Sequence, residues 1–145
     1  MTDSSKQSAA RFDRIRRAHQ SEVAEDYVEM IAELIAGQGE ARAVDLANRF
    51  GVTQPTVNAT IQRLQREGLV ISRPYRSIFL TDAGRELAEN CASRHALVRD
   101  FLVSIGIDRE TAEADAEGLE HHVSQQTLDA FRRFMETAGQ RKQQR

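Results

Sequence analysis

Apolar residues return every three or four positions at Val23, Tyr27, Met30, Ile31, Leu34 and Ile35. That spacing predicts an amphipathic helix over residues 11–36, stopped by Gly37 and Gly39. A shorter helix over 43–50 ends at Gly51. Thr53 then stands as an N-cap, with Pro55 in the opening turn of a helix that runs to about Glu67. Its buried stripe is Val57, Ile61 and Leu64, with Thr60 where an apolar residue is more usual. Small Ala47, the turn at Gly51 and Val57 at the contact are what a helix-turn-helix requires. Two short β runs follow, 69–72 and 77–81, around the basic turn Arg73-Pro74-Tyr75-Arg76. Helix, turn, helix and hairpin in this order make a winged helix. The three- and four-residue period then resumes. It predicts a helix over 82–105 carrying Leu87, Cys91, His95, Val98, Phe101 and Leu102, a second capped by Asp108, and a third over 125–137 capped by Ser124.

The expected fold is therefore mainly α. An N-terminal winged helix-turn-helix, 11–81, precedes an all-helical domain, 82–138. Residues 1–10 read as a disordered basic arm and 139–145 as a frayed tail.

The chain has 145 residues, one cysteine and no tryptophan. Its core must be built from Leu, Ile, Val and Ala. A single Cys91 excludes an internal disulfide and fits a reducing cytoplasm. No apolar run approaches a membrane span, and the first ten residues lack a signal peptide's apolar centre. The net charge of −2 hides a segregation. Residues 40–81 are basic on balance, while 21–39 and 82–122 are strongly acidic. A basic middle between acidic segments suggests one surface for a polyanion and another for a cation.

The polyanion surface is the second helix of the helix-turn-helix. Its outward set is Gln54, Pro55, Thr56, Asn58, Ala59 and Gln62. Asn and Gln pair bidentately with adenine, and Thr and Ala touch the thymine methyl. Arg63, Arg66, Arg73 and Arg76 suit phosphates, which set affinity and register rather than sequence.

The cation surface centres on Glu117-Gly118-Leu119-Glu120-His121-His122. In a continuous helix Glu117, Glu120 and His121 fall at i, i+3 and i+4 and aim three donors at one point. The bland alternative is a solvated acidic helix whose histidines face the negative end of its dipole. Asp26 and Glu29 sit three apart beside an apolar stripe and read equally as surface acids. His95, mid-helix among apolar positions, reads in isolation as a core histidine. All three helices must pack, however, and no Arg or Lys is evident at the same helical positions. An uncompensated cluster of that kind repels itself, which makes a metal the economical explanation. Four carboxylates and two imidazoles without a thiolate suit Mn(II) or Fe(II).

These blocks carry a resemblance. Glu25-Asp26-Tyr27-Val28-Glu29, the helix-turn-helix with Gln54-Pro55-Thr56-Val57, Arg94-His95, and the 117–122 block resemble the diphtheria-toxin-repressor family of metal-dependent regulators. Within it they resemble closely the manganese transport regulators. The resemblance spans residues 22–136. It implies a homodimeric cytoplasmic repressor that binds palindromic operator DNA when Mn(II) fills a two-metal site, with no membrane and no small-molecule substrate. By position the implied ligands are Asp26, Glu29, His95, Glu117, Glu120 and His121. Iron-sensing relatives tend to have Met where this chain has Asp26 and Cys where it has Glu120, which favours Mn(II) while leaving Fe(II) open. Two other classes stay open from the residues alone. One is a metallohydrolase, against which stand the missing Gly-rich substrate loop and nucleophile. The other is a winged-helix regulator of an organic ligand, which predicts no metal dependence.

Overall fold

The computed structural model describes residues 3–144. Its elements are α1 Asp3–Gln38, α2 Ala43–Phe50, α3 Gln54–Arg66, β1 Val70–Ile71, β2 Phe79–Leu80, α4 Asp82–Ser104, α5 Arg109–Leu119 and α6 Gln125–Gln143. The chain forms two compact units, residues 1–89 and 90–145, whose boundary falls inside α4.

The first unit is the winged helix-turn-helix. The apolar stripe of α1 buries Ala24, Tyr27, Val28, Ile31 and Leu34. Leu46 and Ala47 of α2 join this core, as do Val57, Ile61 and Leu64 of α3. Gly51 takes the left-handed conformation, φ 66°, that lets α2 stop and the chain turn toward α3. The Thr53 hydroxyl accepts the Thr56 N–H at 3.3 Å and so caps α3. Thr60 is no flaw in the stripe, because its hydroxyl donates to the Thr56 carbonyl at 3.1 Å. The wing pairs β1 with β2 antiparallel, Val70 opposite Leu80 and Ile71 opposite Phe79. Its base is widened by a bridge between Ala41 and Ile78. A hydrogen bond from the Ser77 hydroxyl, 2.8 Å, joins the Arg42 ion pair in holding the Glu40 carboxyl below the usual range, against a small effect of burial.

The second unit has a smaller core. Val98 of α4, Ala116 of α5 and Leu128 of α6 are buried, with Leu97, Leu102, Val123 and Phe131 packed around them. Phe101 stacks on Phe131 with ring centroids 3.9 Å apart. Val103, Ile105, Leu119 and Phe134 stay exposed. Asp108 caps α5 by accepting the Thr111 N–H, and Ser124 caps α6 in the same way at Thr127.

Four boundaries differ from the sequence reading. Residues 3–10, expected to be disordered, continue α1 as an exposed extension, since Ser, Lys, Gln and Ala cost a helix little and Asp3 faces its positive end. The rest of that arm, Met1 and Thr2, lies outside the described residues. The expected frayed tail is helical to Gln143, where Arg141 and Lys142 complement the opposite end of the dipole; Arg145 lies outside the described residues. The strands shrink to two residues each because the Arg73–Arg76 turn takes up their inner ends. Finally, α5 ends at Leu119. The His121 N–H bonds to the Gly118 carbonyl, a tighter turn than the α-helical bond to Glu117, so Glu120 and His121 lie past the helix.

Gly84 shows how the wing and α4 meet. A Cβ there would stand against the Leu69 carbonyl oxygen, which already accepts the Thr81 N–H at 3.0 Å. Gly84→Ala is expected to destabilise the protein by about 1–3 kcal/mol, as overpacking does. A urea unfolding midpoint equal to that of the unsubstituted protein would contradict this close approach.

Candidate functional site

The turn after α5 brings its acidic residues back toward α4. His95 Nδ1 lies 3.9 Å from Glu117 Oε1 and 3.9 Å from Glu120 Oε1. These three donor atoms lie within 4.8 Å of one another. A cation bound at about 2.0–2.2 Å separates opposite donors by no more than twice that length, and the two 3.9 Å separations fall within that limit. Its chemistry fits as well, with two carboxylates, one imidazole and no thiolate. Burial is uneven. Glu120 is 1% exposed, whereas the Glu117 side chain is 71% exposed, so the cluster opens on the Glu117 side. His121 continues it, with Nε2 3.5 Å from Glu120 Oε1. The helical i, i+3, i+4 face assumed from the sequence is thus replaced by a helix end and a tight turn, and the donors still gather.

Glu113 was not singled out from the sequence. His95 Nε2 and Glu113 Oε2 are hydrogen-bonded at 2.7 Å. Arg99 donates from Nη1 to Glu113 Oε1 at 3.1 Å. The His95 hydrogen bond, opposed by desolvation and reinforced by Arg99, holds the Glu113 carboxyl below the usual range. Arg99 therefore corrects the expectation that no basic side chain attends this cluster. Being one turn after His95 on α4, it was legible in principle, as was Glu113 one turn before Glu117 on α5. Asp26 and Glu29 belong to the first unit, both half-buried on α1 next to buried Tyr27 and Val28. His122 and His19 are exposed, and Cys91 is buried with its sulfur accepting from Arg94 at 3.2 Å.

The other candidate surface lies in the first unit. Gln54, Pro55, Thr56, Asn58, Ala59 and Gln62 are all exposed along α3. Of these, Gln54, Asn58 and Gln62 border, with Arg42 and the wing residues Arg73 and Arg76, a groove of about 610 Å3. Arg42 went unnoticed in the sequence because it lies on neither α3 nor the wing turn, and Tyr75 at the wing tip, φ 61°, is fully exposed. Arg63 is half-buried. It donates to the Gln20 carbonyl at 3.1 Å and pairs with Glu67 at 3.5 Å, unlike the exposed Arg66, Arg73 and Arg76.

A winged helix with an exposed polar α3, and an acidic imidazole-bearing cluster on other helices of the chain, combine a surface suited to nucleic acid with a grouping suited to a cation. The model for the iron dependent repressor N-terminal DNA binding domain matches residues 19–78. The model for the iron dependent repressor metal binding and dimerisation domain matches residues 81–142. The chain belongs to the iron-dependent repressor family, whose members are DNA-binding regulators, and it is not an enzyme. It is 49% identical over 128 residues to the transcriptional regulator MntR of Escherichia coli O157:H7, covering 88% of this chain and 83% of that one. It is 37% identical over 105 residues to the HTH-type transcriptional regulator MntR of Bacillus subtilis (strain 168), covering 72% and 74%. Among solved structures it is similar to a manganese-dependent transcriptional repressor in complex with manganese, with a TM-score of 0.66 and 33% identity over 74% of this chain. The chain spans about half the length of such solved repressors. Among the described residues no helix is long and apolar enough to cross a membrane.

A cation that relieves the repulsion between Glu117 and Glu120 must stabilise the folded chain. At a hundred times its dissociation constant it should add about 2.7 kcal/mol, seen as a higher calorimetric unfolding midpoint that a chelator reverses. A midpoint indifferent to both divalent cation and chelator would leave the cluster without its expected occupant.

Proposed function

We propose that the chain is a cytoplasmic Mn(II)-responsive repressor of manganese-uptake genes, binding palindromic operator DNA as a homodimer when its metal site is filled. The observation that carries this reading is the oxygen-rich grouping of His95, Glu117 and Glu120, supported by the relatives called MntR. Asp26, Glu29 and His121 complete the donor set, giving four carboxylates and two imidazoles. Two metal ions suit so many donors. Fe(II) is the alternative, favoured by the description of the matching family models and by the similar preference of Fe(II) for oxygen and imidazole.

In this reading the residues act as follows. Asn58, Gln62 and Gln54 read base edges in the major groove while Thr56, Pro55 and Ala59 pack against it. Arg66, Arg73 and Arg76 hold phosphates, and Arg63 reaches DNA only by leaving Gln20 and Glu67. One α3 reads few base pairs, so two copies on half-sites about 34–36 Å apart are needed. The exposed Val103, Ile105, Leu119 and Phe134 of the second unit, whose own core is small, supply apolar surface for the dimer. Mutual repulsion of the donor carboxylates lowers the fraction of molecules competent to bind operator, and apparent affinity falls with that fraction. Metal binding reverses this, with a coupling on the scale of about 1–3 kcal/mol.

Operator binding measured with Mn(II), with Fe(II) under anaerobic conditions and with chelator tests the whole reading. Mn(II) should tighten binding about 5- to 150-fold, and operator should tighten Mn(II) binding by the same factor. Equal operator affinity with metal and with chelator would favour a regulator of some other ligand, and a larger effect of Fe(II) would favour the iron alternative. At the DNA surface, Asn58→Ala should relax base preference at a cost of about 1–3 kcal/mol per lost contact, whereas Arg76→Ala should weaken all sequences alike and reduce the salt slope. If Arg76→Ala changed preference and left the slope unaltered, base and phosphate contacts would have to be reassigned.

A further inference from the structure

The contact between His95 and Glu113 has no part in the roles assigned above. We infer that Glu113, braced by Arg99, is a positioning residue that fixes which nitrogen of His95 is offered to the metal. This rests on the reading that His95, Glu117 and Glu120 are metal ligands.

An ionised carboxylate only accepts hydrogen bonds, so at 2.7 Å from Glu113 Oε2 it is His95 Nε2 that carries the proton and donates it. In the neutral ring the lone pair is then on Nδ1. That is the nitrogen standing 3.9 Å from both Glu117 Oε1 and Glu120 Oε1. The second oxygen of Glu113 accepts from Arg99 Nη1 at 3.1 Å, and Arg99 Nε donates to Asp100 at 3.0 Å. The guanidinium is thus held from two sides, and Glu113 has little freedom to swing away from the imidazole. Two consecutive charged contacts, from Arg99 to Glu113 to His95, set both the tautomer and the plane of the ring. A carboxylate behind a ligating histidine makes the imidazole a better donor, and its loss commonly weakens metal affinity about 10- to 100-fold. A brace that served only to join α4 to α5 would not need Nδ1 to face the two carboxylates.

Glu113→Gln separates the two roles. The amide keeps the size of the side chain and can still hydrogen-bond, but its N–H2 can donate to Nε2 and draw the ring proton to Nδ1. Mn(II) affinity of the full chain is measured by equilibrium dialysis for the unsubstituted protein and E113Q. In parallel, long-range 15N–1H NMR of the metal-free protein reads the His95 tautomer, above the ordinary histidine range near about 6.5. The expected result is an Nε2–H tautomer in the unsubstituted protein, its loss in E113Q, and about 10- to 100-fold weaker Mn(II) binding with unchanged circular dichroism. Unchanged affinity in E113Q overturns the inference, whether or not the tautomer moves. Should E113Q fail to fold, the unsubstituted protein still decides, because an Nδ1–H tautomer there overturns the inference. An unsubstituted protein that binds no Mn(II) overturns the metal reading itself, a different outcome from tight binding that ignores Glu113.

Discussion

Taking the carboxylate of Glu120 out of water is costly, and much of the second unit can be understood as the means of meeting that cost. A buried carboxylate needs nearby positive charge or hydrogen-bond donors, and without them it takes up a proton. His121 Nε2 stands 3.5 Å from its Oε1 atom, while His95 turns Nδ1 toward it at 3.9 Å, an arrangement that a cation between the two would satisfy. The helices that bring them there are ordinary amphipathic elements with sound caps, yet their shared core is little more than Val98, Ala116 and Leu128. A core of this size supplies limited stability. Apolar packing in this unit is accordingly modest beside the charge it has to accommodate.

In the first unit the balance is different. Tyr27 stacks on Phe50 at 4.6 Å, and α1, α2, α3 and the wing share one continuous apolar cluster. Its polar side chains are engaged in local tasks, such as Thr53 and Thr81 at helix starts. The unit can present α3 as a firm surface. Recognition of nucleic acid needs such rigidity, since base-edge hydrogen bonds lose value when their donors wander.

The winged helix-turn-helix was legible in the sequence because each of its parts leaves a short-range mark. Ala47, Gly51 and Val57 lie within eleven positions, and periodicity alone separates buried Ile61 from exposed Asn58 and Gln62. The residues of the metal cluster were legible as types but not as geometry. Glu117 and Glu120 were expected on one helical face, yet the helix stops between them, and a 3.4 Å bond from His121 to Gly118 replaces the helical one. Glu113 and Arg99 escaped notice for another reason. Their one-turn spacings from Glu117 and His95 place them on the right helical faces, but Glu113 lies eighteen positions from His95, and among the many acids of α5 nothing local marks it as the partner. Helix ends were misjudged where polar residues of good helical propensity continue without an apolar stripe, as at Ser4 to Ala10 and Gln140 to Gln143.

The wing's brevity has a consequence for how the protein behaves when crowded. Ile71 and Phe79 face each other across the ladder and both are half exposed, a pairing that in a longer strand would invite association with other chains. Here each strand is two residues long and ends at the turn begun by Arg73 and Pro74. An incoming strand would find too few free backbone groups to form a lasting ladder, and it would meet positive charge at the tip. The hairpin can thus expose an apolar pair while offering no template for edge-to-edge polymerisation.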